Sequence, residues 1–256
     1  MKTLFLFFLL LNVNLVSAQK KVTPSDTDLY NAYLKQDMAV WSDYIHSLDW
    51  RQLSIKDKIT YLNYSYGYIA YSSSLPEVDS DILNERFFEH INEMSGKMPE
   101  AERQTYLCSY YAYSITLHKV RAFTLGTKAL KTSEFAVSQD TLNPLALSLR
   151  GNVLFYSPSF VGGDKAQALS YLQKAEQQYK SQKLTDNNWN YRALQLTIAQ
   201  CYEKLGDKQA AIDYCNKILS EEPNFEYISK EYMPYLKGEK STLSNTSSKI
   251  ADTILQ

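Results

Sequence analysis

Small side chains recur at fixed offsets between Arg192 and Pro223, and they leave few folds open. The segment reads RALQLTIAQCYEKLGDKQAAIDYCNKILSEEP. Apolar and small residues follow helical spacing on both sides of Gly206, which predicts two short amphipathic helices. Gly206 can take the left-handed conformation that closes the first helix. Asp207 can cap the second by accepting from its free backbone amides, and Pro223 stops it. Two helices approach closely only where the facing side chains are small, so Ala199 and Ala211 mark the crossing point.

With Arg192 as the first position, Ala199, Tyr202, Gly206, Ala211, Ile218 and Pro223 fall at positions 8, 11, 15, 20, 27 and 32. This pattern resembles the tetratricopeptide repeat, a pair of antiparallel helices repeating every ~34 residues. Gln195 and Ile218 depart from it, standing where the family favours a large apolar residue and an alanine. Upstream, NPLALSLRGNVLFY places Gly151 at position 8, with Ala168 and Ala175 at the matching later positions beyond a lengthened turn, Ser157–Gly163. Before that, Ala129 and Ala136 take the same places in a unit read from Tyr110 to Asn143. Gly67 is the corresponding small residue of a helix predicted from Ser54 to about Ser73, paired with a helix from Asp79 to Met94. One further helix is expected over Asp28–His46, and a terminal helix over Phe225–Leu236 should cover the last unit. The stretch GNVLFYSPSFVGGDKAQALSYLQKA also resembles exported tetratricopeptide-like proteins of Bacteroidetes-type bacteria, a group with no assigned activity. The resemblance implies an all-α fold, antiparallel helix pairs stacked as a right-handed superhelical solenoid. The expected organisation is an export signal over residues 1–18, an N-terminal helical region over 19–100, repeats with a capping helix over 101–237, and an unstructured tail over 238–256.

The ends and the charge restrict function further. Lys2, the apolar run Leu4–Leu11 and the small residues Val16-Ser17-Ala18 have the order of a cleavable export signal, and the run is short for a bilayer span. A periplasmic or secreted protein is expected, without membrane span or lipid anchor, since no cysteine follows the cleavage point. Removing residues 1–18 leaves a formal charge of −2, which gives no reason to expect nucleic acid. Cys108, Cys201 and Cys215 have no metal-ligand or redox spacing, so they read mostly as small buried residues, with a Cys201–Cys215 bridge in an oxidising compartment as the alternative.

In tetratricopeptide arrays the first helix of each pair lines a concave groove, and the resemblance carries four positions per unit onto this chain. They are Tyr61, Tyr64, Tyr68 and Tyr71 in the first unit, then Tyr111, Ser114, His118 and Arg121. The third and last units contribute Leu145, Ser148, Asn152 and Phe155, then Ala193, Leu196, Gln200 and Glu203. The chain has 21 tyrosines against 10 phenylalanines, and rigid tyrosines supply contact area at little entropic cost. The same tyrosine stripe could equally be core packed against the first helix, and spacing alone leaves both readings open.

Nothing in the sequence points to an enzyme. His46, His90 and His118 lie in separate helices, and no metalloprotease, nucleophile-elbow or phosphate-loop motif is present. No metal or cofactor is expected. The expectation is a non-enzymatic module binding a protein or peptide in its groove, the alternative being an apolar or carbohydrate small molecule held by the tyrosines.

Overall fold

The computed structural model describes residues 23–73 and 75–240. The expected export signal and most of the expected tail lie outside them. Among the described residues there are eleven α-helices and no strand, and successive helices pack as antiparallel pairs into a helical solenoid. They are α1 Asp26–Leu34, α2 Ala39–Ser47, α3 Ile55–Ser72, α4 Ser80–Glu93, α5 Glu100–Leu117, α6 Ala122–Gln139, α7 Pro144–Tyr156, α8 Lys165–Ser181, α9 Trp189–Lys204, α10 Lys208–Glu221 and α11 Met233–Lys237. None is long and apolar enough to cross a membrane.

Short polar side chains start most of these helices. Ser25, Ser54, Asp79, Asn143, Asp164, Asn188 and Asp207 each accept a hydrogen bond from a first-turn amide, satisfying donors that the helix itself cannot. Gly206 takes φ +90 directly after α9.

The small residues sit at the crossings. Ala136, Ala168, Ala175, Ala199 and Ala211 have no exposed surface, and Ala129 has 5%. A β-carbon on Gly151 would lie 2.5 Å from Cγ of Leu172, on the partner helix. At Gly67 it would meet the rings of Trp41 at 2.5 Å and Trp189 at 2.7 Å. Both rings are packed on several sides and cannot swing away. Gly67→Ala should therefore destabilise by about 1–3 kcal/mol. Urea unfolding measures it, and an unchanged midpoint would mean that the two tryptophans are loosely held.

Two parts of the sequence reading are corrected. The helix expected over Asp28–His46 is two helices. Gln36 takes φ +59, and the Asp37 amide turns back to donate to the Ala32 carbonyl. The break returns α2 onto α1, so that Trp41 Nε1 donates to the Leu29 carbonyl at 2.7 Å. Second, the unit read from Tyr110 begins at Glu100, because α5 runs continuously from there to Leu117. Cys108 is consequently the small residue at that crossing, with its Sγ 3.2 Å from the Ala129 carbonyl and no exposed surface. All three cysteines are free and buried.

The N-terminal helices do not stop at their neighbours. Helix α1 also packs against α9. Tyr33 lies 5.7 Å from Trp189 and 5.5 Å from Phe225, ring to ring. Below them, buried Arg192 donates to Glu221 Oε2 and Gln195 Oε1, both at 2.8 Å, and to the Tyr30 hydroxyl at 3.1 Å. Tyr30 in turn donates to Glu222 at 2.6 Å. The first described helix and the last repeat are thus latched. Beyond Pro223, Phe225, Ile228, Tyr232 and Leu236 bury themselves on α10, and α11 ends the array.

Candidate functional site

The first helices of successive pairs turn one face towards a shared interior, and tyrosines dominate it. Tyr66 of α3 lies 6.0 Å from Tyr113 of α5 and 5.6 Å from Trp189 of α9. Tyr113 donates its hydroxyl to the Tyr66 carbonyl at 2.8 Å. Asn63, one turn before Tyr66, accepts from Trp189 Nε1 at 2.7 Å and donates to the Tyr106 hydroxyl at 3.2 Å. Tyr156, at the end of α7, points its hydroxyl to Gln200 of α9 at 3.4 Å. Four of the five first helices are joined through this wall, and Tyr33 of α1 extends it.

Burial raises the phenols along this wall. Tyr156 is 55% exposed, yet burial pushes its phenol well above the usual range. Tyr33 and Tyr113, both half-buried, are raised for the same first reason, burial, and then by neighbouring phenols that include Tyr66. Tyr66 is pushed up to about 12 by burial, and a contact from the Asn152 side chain draws it part of the way back. The four phenols are neutral at physiological pH. The wall therefore offers flat apolar faces and neutral hydrogen-bonding groups, with no charge of its own.

The residues singled out from the sequence fall in several places. Tyr61, Tyr64 and Tyr68 are 4–5% exposed, and Tyr71 packs partly buried against the same core. Tyr64 meets Trp41 edge-on at 5.0 Å, and Tyr61 meets Trp50 at 5.5 Å. The stripe thus faces α2 and the turn after it, while the interior face of α3 carries Asn63 and Tyr66 instead. Tyr111 is half-buried beside Leu130 of α6, with Lys128 5.9 Å above its ring. His118 and Arg121 lie beyond the end of α5, in the turn to α6, and His118 Nε2 is 2.8 Å from Asp81. Phe155 is interior, 6% exposed and edge-on to Tyr156. Asn152 lies beside Tyr66, on the inner wall. Tyr202 accepts from Gln173 of α8 at 3.1 Å.

Spacing overlooked Tyr33, Tyr66, Tyr113 and Tyr156. The missing signal was rotation. Trp41 and Trp50 pack on Tyr64 and Tyr61 of α3, so these tyrosines face the N-terminal helices and leave Asn63 and Tyr66 towards the interior. Among the described residues no group of His, Cys, Asp or Glu could hold a metal ion, and none of the three histidines stands on the wall.

Residues 193–224 match the family model of the tetratricopeptide repeat. No curated protein matches the chain in sequence. Among solved structures, the chain is similar to the HusA haemophore from Porphyromonas gingivalis, with 15% sequence identity over 70% of this chain and 94% of that one, and a TM-score of 0.51. At that identity the likeness is one of fold. The repeat at 193–224, the helix pairs before it and this neighbour agree on one architecture: the chain is a helical repeat solenoid that carries a tetratricopeptide repeat at 193–224.

Proposed function

We propose that the chain is a non-enzymatic binding protein that holds a flat, largely apolar small molecule of the tetrapyrrole class against its inner tyrosine wall. The observation that carries this reading is the set of neutral phenols of Tyr33, Tyr66, Tyr113 and Tyr156, three half-buried and one exposed, contributed by four first helices to one wall. Aromatic faces stack well on an extended ring system, and phenol hydroxyls can bond its polar edge. The haemophore neighbour supports the choice of ligand class, and the export signal expected at residues 1–18 suits capture outside the cytoplasm. Neutral phenols are poor ligands for iron, and the wall has no histidine. Recognition then rests on the ring system and not on a coordinated metal.

The test is a fluorescence titration of the chain with haem and with metal-free protoporphyrin IX, following the tryptophan emission to which Trp189 contributes. Both should bind with comparable affinity. Tyr113→Ala and Tyr156→Ala, neither fully buried, should each weaken binding about tenfold, the equivalent of ~1.4 kcal/mol at a contact hot spot. Unaltered affinity in both variants would sink the proposal, as would the absence of saturable binding by either tetrapyrrole.

A further inference from the structure

A separate cleft of about 440 Å³ opens on the outer side of the N-terminal helices, between the end of α2, the turn Trp50–Gln52, α3 and α4. Ile45, Leu48 and Tyr61 give it an apolar floor, and Arg86 and His90 of α4 form one wall. It lies on a different face of α3 from Tyr66 and shares no residue with the inner wall.

The charges around it are unevenly committed. Glu93 accepts from Trp50 Nε1 at 2.7 Å. Asp49 accepts from the Gln52 side chain at 2.9 Å and the Arg51 amide at 3.1 Å. Arg86 is exposed and, among the described residues, has no carboxylate partner within ion-pair distance. His90 is 8% exposed and stacked on Trp50 at 3.9 Å with an interplanar angle of 10°. Its Nδ1 is buried without a hydrogen-bond partner, and buried polar atoms in native proteins ordinarily have one. Burial holds the imidazole down at about 4, so the ring is neutral at physiological pH. Arg51 and Arg86 both line the cleft, but Arg51 lies 3.8 Å from Asp49, which leaves Arg86 as the cation without a carboxylate beside it.

We propose that this cleft is a second ligand site, which takes a small amphipathic carboxylate. The carboxylate meets the planar fork of Arg86, a geometry that guanidinium groups match with two parallel hydrogen bonds. The apolar part lies over Ile45, Leu48 and Tyr61, and His90 closes the inner end as a hydrogen-bonding group. A carboxylate suits the site better than a cationic ligand, because both nearby acids already serve protein donors.

Hexanoate is a suitable probe, compared with acetate, which lacks the chain, and hexan-1-ol, which lacks the charge. Nuclear magnetic resonance of the full chain follows the Arg86 Nε–H and the three tryptophan indole N–H signals. Hexanoate should shift the Arg86 and Trp50 signals saturably and leave Trp41 and Trp189 in place, with hexan-1-ol and acetate each binding at least about tenfold more weakly. Arg86→Gln, an exposed substitution that leaves the fold intact, should weaken hexanoate at least about tenfold. Equal binding by Arg86→Gln overturns the proposal, as does equal binding of acetate and hexanoate. A shift centred on Trp189, or no saturable shift at all, also overturns it. Each of these outcomes is independent of tetrapyrrole binding at the inner wall.

Discussion

Arg192→Ala should lower the unfolding free energy by about 3–5 kcal/mol, the range for removing one member of a buried ion pair. The guanidinium is almost wholly enclosed, its side chain 9% exposed, and it serves Glu221, Gln195 and Tyr30 at once. Truncation leaves Glu221 with Gln195 as its remaining hydrogen-bond donor and removes a hydrogen bond that holds α1 to the last repeat. Burial alone would raise the Glu221 carboxyl, but hydrogen bonds from Gln195 and Arg192 outweigh it and hold the group below its ordinary value of 4.5. A depressed carboxyl stabilises the fold above its unfolded value, and that stabilisation is lost as pH falls through the lower folded value. The variant should therefore lose less stability between neutral pH and pH 4 than the parent does. Guanidinium unfolding at several pH values provides the check. A loss below about 1 kcal/mol, in the range of exposed pairs, would show that the latch is solvated.

Trp189→Ala should cost about 3–5 kcal/mol as well, through the cavity that a buried aromatic leaves. Trp189 is 6% exposed. Its ring meets Trp41 at 5.0 Å, Tyr66 at 5.6 Å and Tyr33 at 5.7 Å, and its indole N–H is bonded to Asn63. Among the described residues no other side chain meets so many of the N-terminal aromatic rings from the repeat side. Hydrogen exchange should accelerate first in α1–α3, where the lost contacts lie, with α7 and α8 less affected. Uniform acceleration through all eleven helices would argue that α1–α3 have no separate dependence on this contact.

The helix pairs were legible in the sequence because their determinants are local. Gly206, Asp207 and Pro223 act within a turn of themselves, and Ala168, Ala199 and Ala211 are small wherever the neighbouring helix arrives. The inner wall was not legible, for two reasons. The orientation of α3 follows Trp41 and Trp50, which pack on its tyrosines from beyond the helix break at Gln36, a position with no glycine to announce it. The start of α5 was obscured because Cys108 stands at the crossing in place of a glycine or alanine. Both failures concern the rotation of a helix about its axis, which depends on what the other elements offer and not on the helix's own pattern. Asn152 lies beside Tyr66 because α7 follows the repeat register, with Gly151 against Leu172.

An open stack of repeats can gain or lose a unit at little cost, since each new pair only needs a neighbour on one side. This chain has surrendered that freedom by joining α1 to α9 and Tyr30 to Glu222. Inserting one more pair between them would carry Trp189 away from Trp41 and strand Arg192 from its hydroxyl partner. The number of units is consequently fixed by the closure. Descendants of such a protein would diversify by exchanging wall side chains or reshaping the connecting turns, and not by growing longer.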